Sequence, residues 1–376
     1  MIVLGTGITG SGRASYLSST VEYSMVQGIP SELRDIGPEM FNKAASLRIS
    51  IPNDKILDLD EMALRFLRAA VFESLVHDVG KYRDMGESSS DLYISLHMSF
   101  RWRKFLMHAF DYHYLVQVNP DILLTVIDSV GCIVKRIYND DSLAHWRDRL
   151  SIRELLIWQD EEIFITKMVA DILDKHFYII PSSSAGPCTH DPKMLFNIIH
   201  MYEKPLMMGE KPIMRRAYLS YPMTHVKKEE EFMERKEEFI EILRENNIIV
   251  FDPIMVEDHV LIDKMKSQEG DTIYIDMFDI EVPRKEVVDA EEYIVDSTVN
   301  RDLLFIDQSD MVIVFYPTNK LSPGVLSEMN YGFTHMKRVY TLFTEDDISP
   351  FFRSHSNYIT KDPDKLVKKI REDFNI

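Results

Sequence analysis

The first fifteen residues, MIVLGTGITGSGRAS (1–15), set how the rest of the chain is read. The run 2–5 is apolar and reads as a strand. Glycines follow at positions 5, 7, 10 and 12, and residues 13–26 suit a helix. Strand, glycine-rich turn and helix in that order build an anion cradle, because the N–H groups of the turn and of the helix start converge. Gly7, Gly10, Ser11 and Gly12 supply the backbone, and Arg13, Ala14 and Ser15 open the helix. A triphosphate cradle ordinarily adds a lysine for the outer phosphates and then a hydroxyl for magnesium. Here Arg13 keeps the charge in a bulky planar fork. Ala14 lacks the hydroxyl, and Ser15 offers one a position later. A purely structural glycine turn is the alternative.

Working outward, strands are expected at 91–100, 121–128 and 177–181, and helices at 63–79 and 151–176. Ser151 and Glu154 make a capping box at the start of the second helix. The segment 182–192 reads as a loop and 204–213 as a linker. A second cycle then begins, with strands at 216–222, 248–253, 311–317 and 338–343 and a charged amphipathic helix at 227–247. Strands alternating with helices imply parallel sheets. The reading is an α/β protein of two domains, 1–203 and 214–376. The acidic stretch 257–296 resists assignment and suits a long insertion or a flap over a site.

The 376 residues carry a formal charge of −18, which disfavours a nucleic-acid or anionic-membrane binder, since no basic field offsets it. The two cysteines, Cys132 and Cys188, make no disulfide framework and suit a reducing cytosol. No apolar run reaches the ~18 residues of a membrane helix, and the start lacks a signal-peptide pattern. A cytoplasmic protein without a membrane partner is expected.

In its first half the chain resembles adenylate-kinase-like P-loop nucleoside monophosphate kinases. Their G-x-x-G-x-G-K-G-T pattern maps onto Gly7 to Ser15 with Arg13, Ala14 and Ser15 as departures. The resemblance implies a P-loop kinase-like parallel sheet and ATP or another nucleotide with Mg2+ at the glycine-rich turn. It also implies lid arginines near the transferring phosphate, with Arg136, Arg147 and Arg149 as candidates. His97, Arg101 and Arg103 face either the same site or solvent. The pair His77-Asp78 invites a metal-dependent phosphohydrolase reading, but no histidine precedes it in the chain, so no metal site is expected there.

The segment 297–343 carries a second constellation. A helix bearing Asn300 and Asp302 leads into a buried strand, and the helix after it begins at Ser322-Pro323 and bears Glu328. A carboxylate near that positive helix end is favoured in its ionised form, as a nucleophile should be. This block, over about 214–360, resembles nucleoside 2-deoxyribosyltransferases and the related deoxynucleoside monophosphate N-glycosidases. Their G-x-x-x-E-x-G-Y-A segment corresponds to GVLSEMNYGF (324–333). The resemblance implies a Rossmann-like (flavodoxin-like) sheet with Glu328 as nucleophile and Asp302 managing a proton at the base. It places Tyr218 and Ser220 on the opening strand at the site, with Ser322 and Gly324 at the phosphate or sugar. It also brings Asn357 into a partner subunit's site, hence a homo-oligomer. Transferases of free nucleosides often have aspartate where Ser322 stands; a serine there tolerates a 5′-phosphate, as in the monophosphate hydrolases.

The leading expectation is an enzyme that cleaves the N-glycosidic bond of a (deoxy)nucleoside 5′-monophosphate, by hydrolysis or base transfer, with no cofactor for that step. A nucleoside monophosphate kinase acting with ATP, or a nucleotide sensor with two degenerate pockets, are the alternatives.

Overall fold

A computed structural model describes all of the chain except residues 85–89, 104, 148–149, 184–185, 224–229, 319 and 346–347. Its contacts divide it into two compact units, 1–193 with 255–297, and 194–254 with 298–376.

The first unit is built on a five-stranded parallel sheet. Its strands are β1 (Ile2–Thr6), β2 (Ser31–Asp35), β3 (Asp91–Ser95), β6 (Ile122–Ile127) and β7 (His176–Pro181), in the order β2-β3-β1-β6-β7. β1, β3 and β6 are buried along their whole length, so they read as continuous apolar runs rather than as alternation. β2 (SELRD) is half-exposed, and sequence reading passes over it because an edge strand needs no apolar run. The expected strand 91–100 is corrected. It ends at Ser95, and Ser99–Trp102 forms a separate strand, β4, antiparallel to β5 (Phe105–His108). The break lies at Leu96–Met98, where the buried Glu162 carboxylate accepts from the N–H groups of Met98 and Ser99. These are donors that a continuing strand would have paired elsewhere.

Helix Arg13–Val26 begins where the glycine-rich turn ends, and Ile152–Leu173 begins at Ser151 with the capping box formed. The acidic stretch supplies helix His259–Ser267, the hairpin β10 (Thr272–Ile275) with β11 (Ile280–Pro283), and the start of helix Arg284–Asp307. By its contacts it belongs to the first unit. Asp258 Oδ1 accepts from Val130 N at 2.7 Å, and the Phe278 ring lies where a Cβ on Gly131 would sit.

Cys132 and Cys188, read as reduced thiols, are joined in a disulfide. Fifty-six positions separate them, and folding brings the loop after β7 against the first turn of helix Val130–Asn139. A cysteine count carries no such proximity, so the argument for a reducing compartment falls with it.

The second unit repeats the architecture with β8 (Arg215–Ser220), β9 (Ile248–Phe251), β12 (Met311–Tyr316), β13 (Arg338–Phe343) and β14 (Tyr358–Thr360), all parallel in the order β14-β13-β12-β8-β9. In chain order within this unit the sheet reads 2-1-3-4-5. The connections after β8 and β12 leave in opposite directions, so a crevice opens between the carboxyl ends of these strands. Helix Pro323–Thr334 packs closely on β12, where a Cβ on Gly332 would meet Val312 at 2.7 Å. Residues 204–207, within the stretch read as a linker, are helical. Among the described residues no helix is long and apolar enough to cross a membrane.

Candidate active site

The switch between β8 and β12 gathers four of the residues singled out in the second unit. Ser220 ends β8, Tyr218 lies two residues earlier on the same strand, Glu328 comes from the helix after β12, and Asp302 from helix Arg284–Asp307. The Ser220 hydroxyl donates to Glu328 Oε2. Tyr218 is fully buried, and the charges of Asp302 and Glu328 add to burial in holding its phenol well above the usual ionisation range.

The expectation of an ionised Glu328 is corrected. Burial, and then the charge of Asp302, push its carboxyl up to about 8, so at neutral pH it holds a proton. The helix-end field acts over the first turn, and Glu328 is the sixth residue of a helix that begins at Pro323. Two adjacent carboxyl groups in a desolvated pocket cannot both ionise cheaply, and the pair titrates as one system. Such a pair is able to pass a proton to a leaving group from one member while the other becomes an anion.

Ser322 is the N-cap of this helix, its hydroxyl accepting from Val325 N at 3.5 Å, and Gly324 lies within the first turn. Both therefore sit at the helix start that follows β12. Asn357 is not brought to the cluster. Its side chain accepts from Val339 N at 2.7 Å at the entry to β13, at the amino ends of the parallel strands and away from the carboxyl end of β8. Asp252, at the end of β9, is held by Lys236 Nζ at 2.6 Å and Tyr221 Oη at 2.8 Å. Asp310 pairs with Arg216, and Asp307 accepts from Tyr331.

In the first unit the glycine-rich turn borders a cavity of about 1080 Å³, lined on that side by Gly10, Gly12, Ala14 and Ser15. Gly12 is required there. Its φ is +80°, and a Cβ would lie 3.0 Å from the His190 ring and 3.1 Å from the Arg136 guanidinium. Arg13, expected to offer its charge to a phosphate, turns inward instead. Its Nε donates to Ser95 Oγ and its Nη1 to the carbonyls of Gly7 and Leu96, each at 2.8–2.9 Å. A fork with five donors finds acceptors in the turn's own carbonyls, where a lysine would present a single mobile charge.

Arg147 is likewise spent locally, donating to the Ile137 and Asp140 carbonyls at the end of helix Val130–Asn139. Arg149 lies outside the described residues. Arg136 is the arginine brought to the turn, donating to the Gly10 carbonyl at 2.9 Å and paired with Asp128 at 2.6 Å. Ser15 meets His190 Nε2 at 3.0 Å, and the Ser11 hydroxyl is buried with no hydrogen-bond partner among the described residues. His97 lines the cavity, whereas Arg101 pairs with Glu161 and Arg103 with Asp58.

Sequence reading did not reach Arg68, Asp128, Glu162 or His190. Each sits in an ordinary helix or loop context, and only the fold shows what it faces. Among the described residues no group of three or more His, Cys, Asp or Glu is placed to hold a metal ion. No protein-family model matches the chain, and no curated protein matches it in sequence.

Proposed function

We propose that the second unit cleaves the N-glycosidic bond of a nucleoside 5′-monophosphate or close analogue, and that the first unit binds a nucleotide. The observation that carries this reading is the buried Glu328 carboxyl, bonded to Ser220 and coupled to Asp302 at the strand-order switch. Breaking the bond from C1′ to the base nitrogen leaves positive charge on the sugar and an electron pair on the base. Asp302 delivers the proton that the base needs, and Glu328, as the carboxylate, stabilises or captures the sugar from the opposite face. Water or a second base then takes the sugar, which is the logic of retaining glycosidases. A pair holding one proton suits this division of labour, because moving that proton from Glu328 to Asp302 leaves Asp302 neutral and lowers the cost of the Glu328 carboxylate.

Ser322 and the Gly324 N–H at the following helix start supply the phosphate contact; Pro323 has no N–H, and those of Val325 and Leu326 are held by Ser322. The 2-1-3-4-5 order supports a flavodoxin-like reading of this unit, and the strand–turn–helix start supports a P-loop-like reading of the first. The inward turn of Arg13 weighs against fast phosphoryl transfer there and favours binding over a kinase activity.

The test is incubation of the full chain with a panel of ribo- and deoxyribonucleosides and their 5′-monophosphates, followed by chromatography of free bases. Base release from monophosphates is expected, and Ser322→Asp should keep the helix cap yet lower release from monophosphates relative to nucleosides by at least tenfold. Release of no base from any member of the panel overturns the reading.

A further inference from the structure

Three guanidinium groups line the cavity of the first unit, and they differ in what they have left to give. Arg13 spends its donors on Ser95, Gly7 and Leu96, and Arg136 is neutralised by Asp128, its Nη1 held there and by Gly10, with Nη2 left without a partner among the described residues. Arg68, on helix Glu61–Asp84, is only 8% exposed and makes no hydrogen bond and no ion pair among the described residues. The Asp111 carboxylate acts on it only through space, and that carboxylate already caps its own helix by accepting from His113 N. A buried cation without a paired anion is expensive, and desolvation holds this guanidinium below its usual basicity. Proteins keep such a group where a ligand completes it. The rest of the lining is largely apolar and aromatic and includes Phe41, Phe72, Phe100, Trp102 and Trp146. Its volume is at the upper end of small-molecule sites.

We propose that Arg68 is the anion anchor of this cavity, taking the phosphate of a monoester whose flat aromatic body lies against the aromatic lining. This anchor stands on helix Glu61–Asp84 and is distinct from the glycine-rich turn. An arginine fork binds a phosphate through two parallel hydrogen bonds, and in a desolvated cavity these are strong. The choice of a nucleotide as one probe rests on the reading of the first unit as a nucleotide site; the anchor itself does not.

Trp102 and Trp146 in the lining make tryptophan fluorescence a direct readout. The full chain is titrated with adenosine 5′-monophosphate, phenyl phosphate, adenosine and inorganic phosphate. The two organic phosphates are expected to bind at least tenfold more tightly than adenosine or phosphate alone. Arg68→Met should abolish that preference and leave adenosine unaffected, and Arg68→Lys should restore part of it. Because Arg68→Met removes an uncompensated buried charge, it should melt no lower than the parent, whereas a structural arginine would lower the melting temperature.

Unchanged phosphate preference in Arg68→Met overturns the proposal. So does a lower melting temperature in that variant, or a parent chain with no preference for the organic phosphates. Base release is followed in the same preparations. Its absence alongside Arg68-dependent binding overturns only the chemistry assigned to the second unit.

Discussion

Glu328 is kept protonated by its surroundings, and that has a consequence for stability. An unfolded chain releases this proton near the ordinary 4.5, while the folded protein holds it to about 8. Between those values the folded state binds the extra proton, so stability falls as pH rises, by up to ~1.4 kcal/mol per pH unit. Above about 8 the loss is complete. Glu328→Gln, neutral throughout, should therefore unfold at higher denaturant than the parent at pH 8 and lose that advantage toward pH 5. Equal midpoints at both pH values would mean that the carboxyl is ionised at no unusual cost. This trade of stability for a poised group is common where function needs a strained site. The residue types here were readable, since Glu328 and Asp302 stand in recognisable positions on two helices flanking β12. The upward shift of the Glu328 carboxyl was not, because it depends on burial and on the charge of a neighbour many residues away. Arg13 shows the same limit: its charge is visible in the sequence, its direction is not.

Among the elements, helix Ile152–Leu173 does more than cover a sheet. Its Glu162 is fully buried and accepts from Gly7 N at 3.3 Å, Met98 N at 2.7 Å, Ser99 N at 2.9 Å and Ser99 Oγ at 2.7 Å. One carboxylate thus ties the glycine-rich turn to the start of β4. Glu162→Ala would strand several buried donors, each costing about 1–3 kcal/mol. Urea unfolding should show a loss of ~3 kcal/mol or more, and the variant should bind nucleotide in the first unit weakly if it folds. A loss below ~1 kcal/mol would mean that water replaces the carboxylate. The helix itself was legible from its capping box and apolar spacing. The task of Glu162 was not, because a glutamate in an amphipathic helix reads as surface until the packing is known. The strands follow the same division. The buried ones announce themselves as apolar runs, while β2 and the two small hairpins, partly polar and short, do not.

At the scale of the whole molecule, the alternation of strands and helices was enough to read two parallel α/β sheets. It was not enough to read their strand orders or the disulfide, both of which join segments far apart in the chain. Segment 255–297 was opaque for a related reason. Its hairpin and its acidic helix find their apolar partners, Phe278 against Gly131 among them, in residues more than a hundred positions earlier. What the two sheets share is a site at the carboxyl ends of central strands, one bordered by a glycine-rich turn and one by a pair of carboxyl groups. The claim that bond breaking belongs to the second is the one on which the account depends. The most direct measurement is the rate of free-base release from nucleoside 5′-monophosphates as a function of pH, for the parent, Glu328→Gln and Asp302→Asn. Release by the parent is expected to hold steady up to an apparent pKa near 8 belonging to the pair and to fall above it, where no proton is left for the base. A loss of at least a hundredfold is expected in Glu328→Gln, and in Asp302→Asn a reduced plateau without the fall near 8. Base release by Glu328→Gln at the parent's rate would contradict the account.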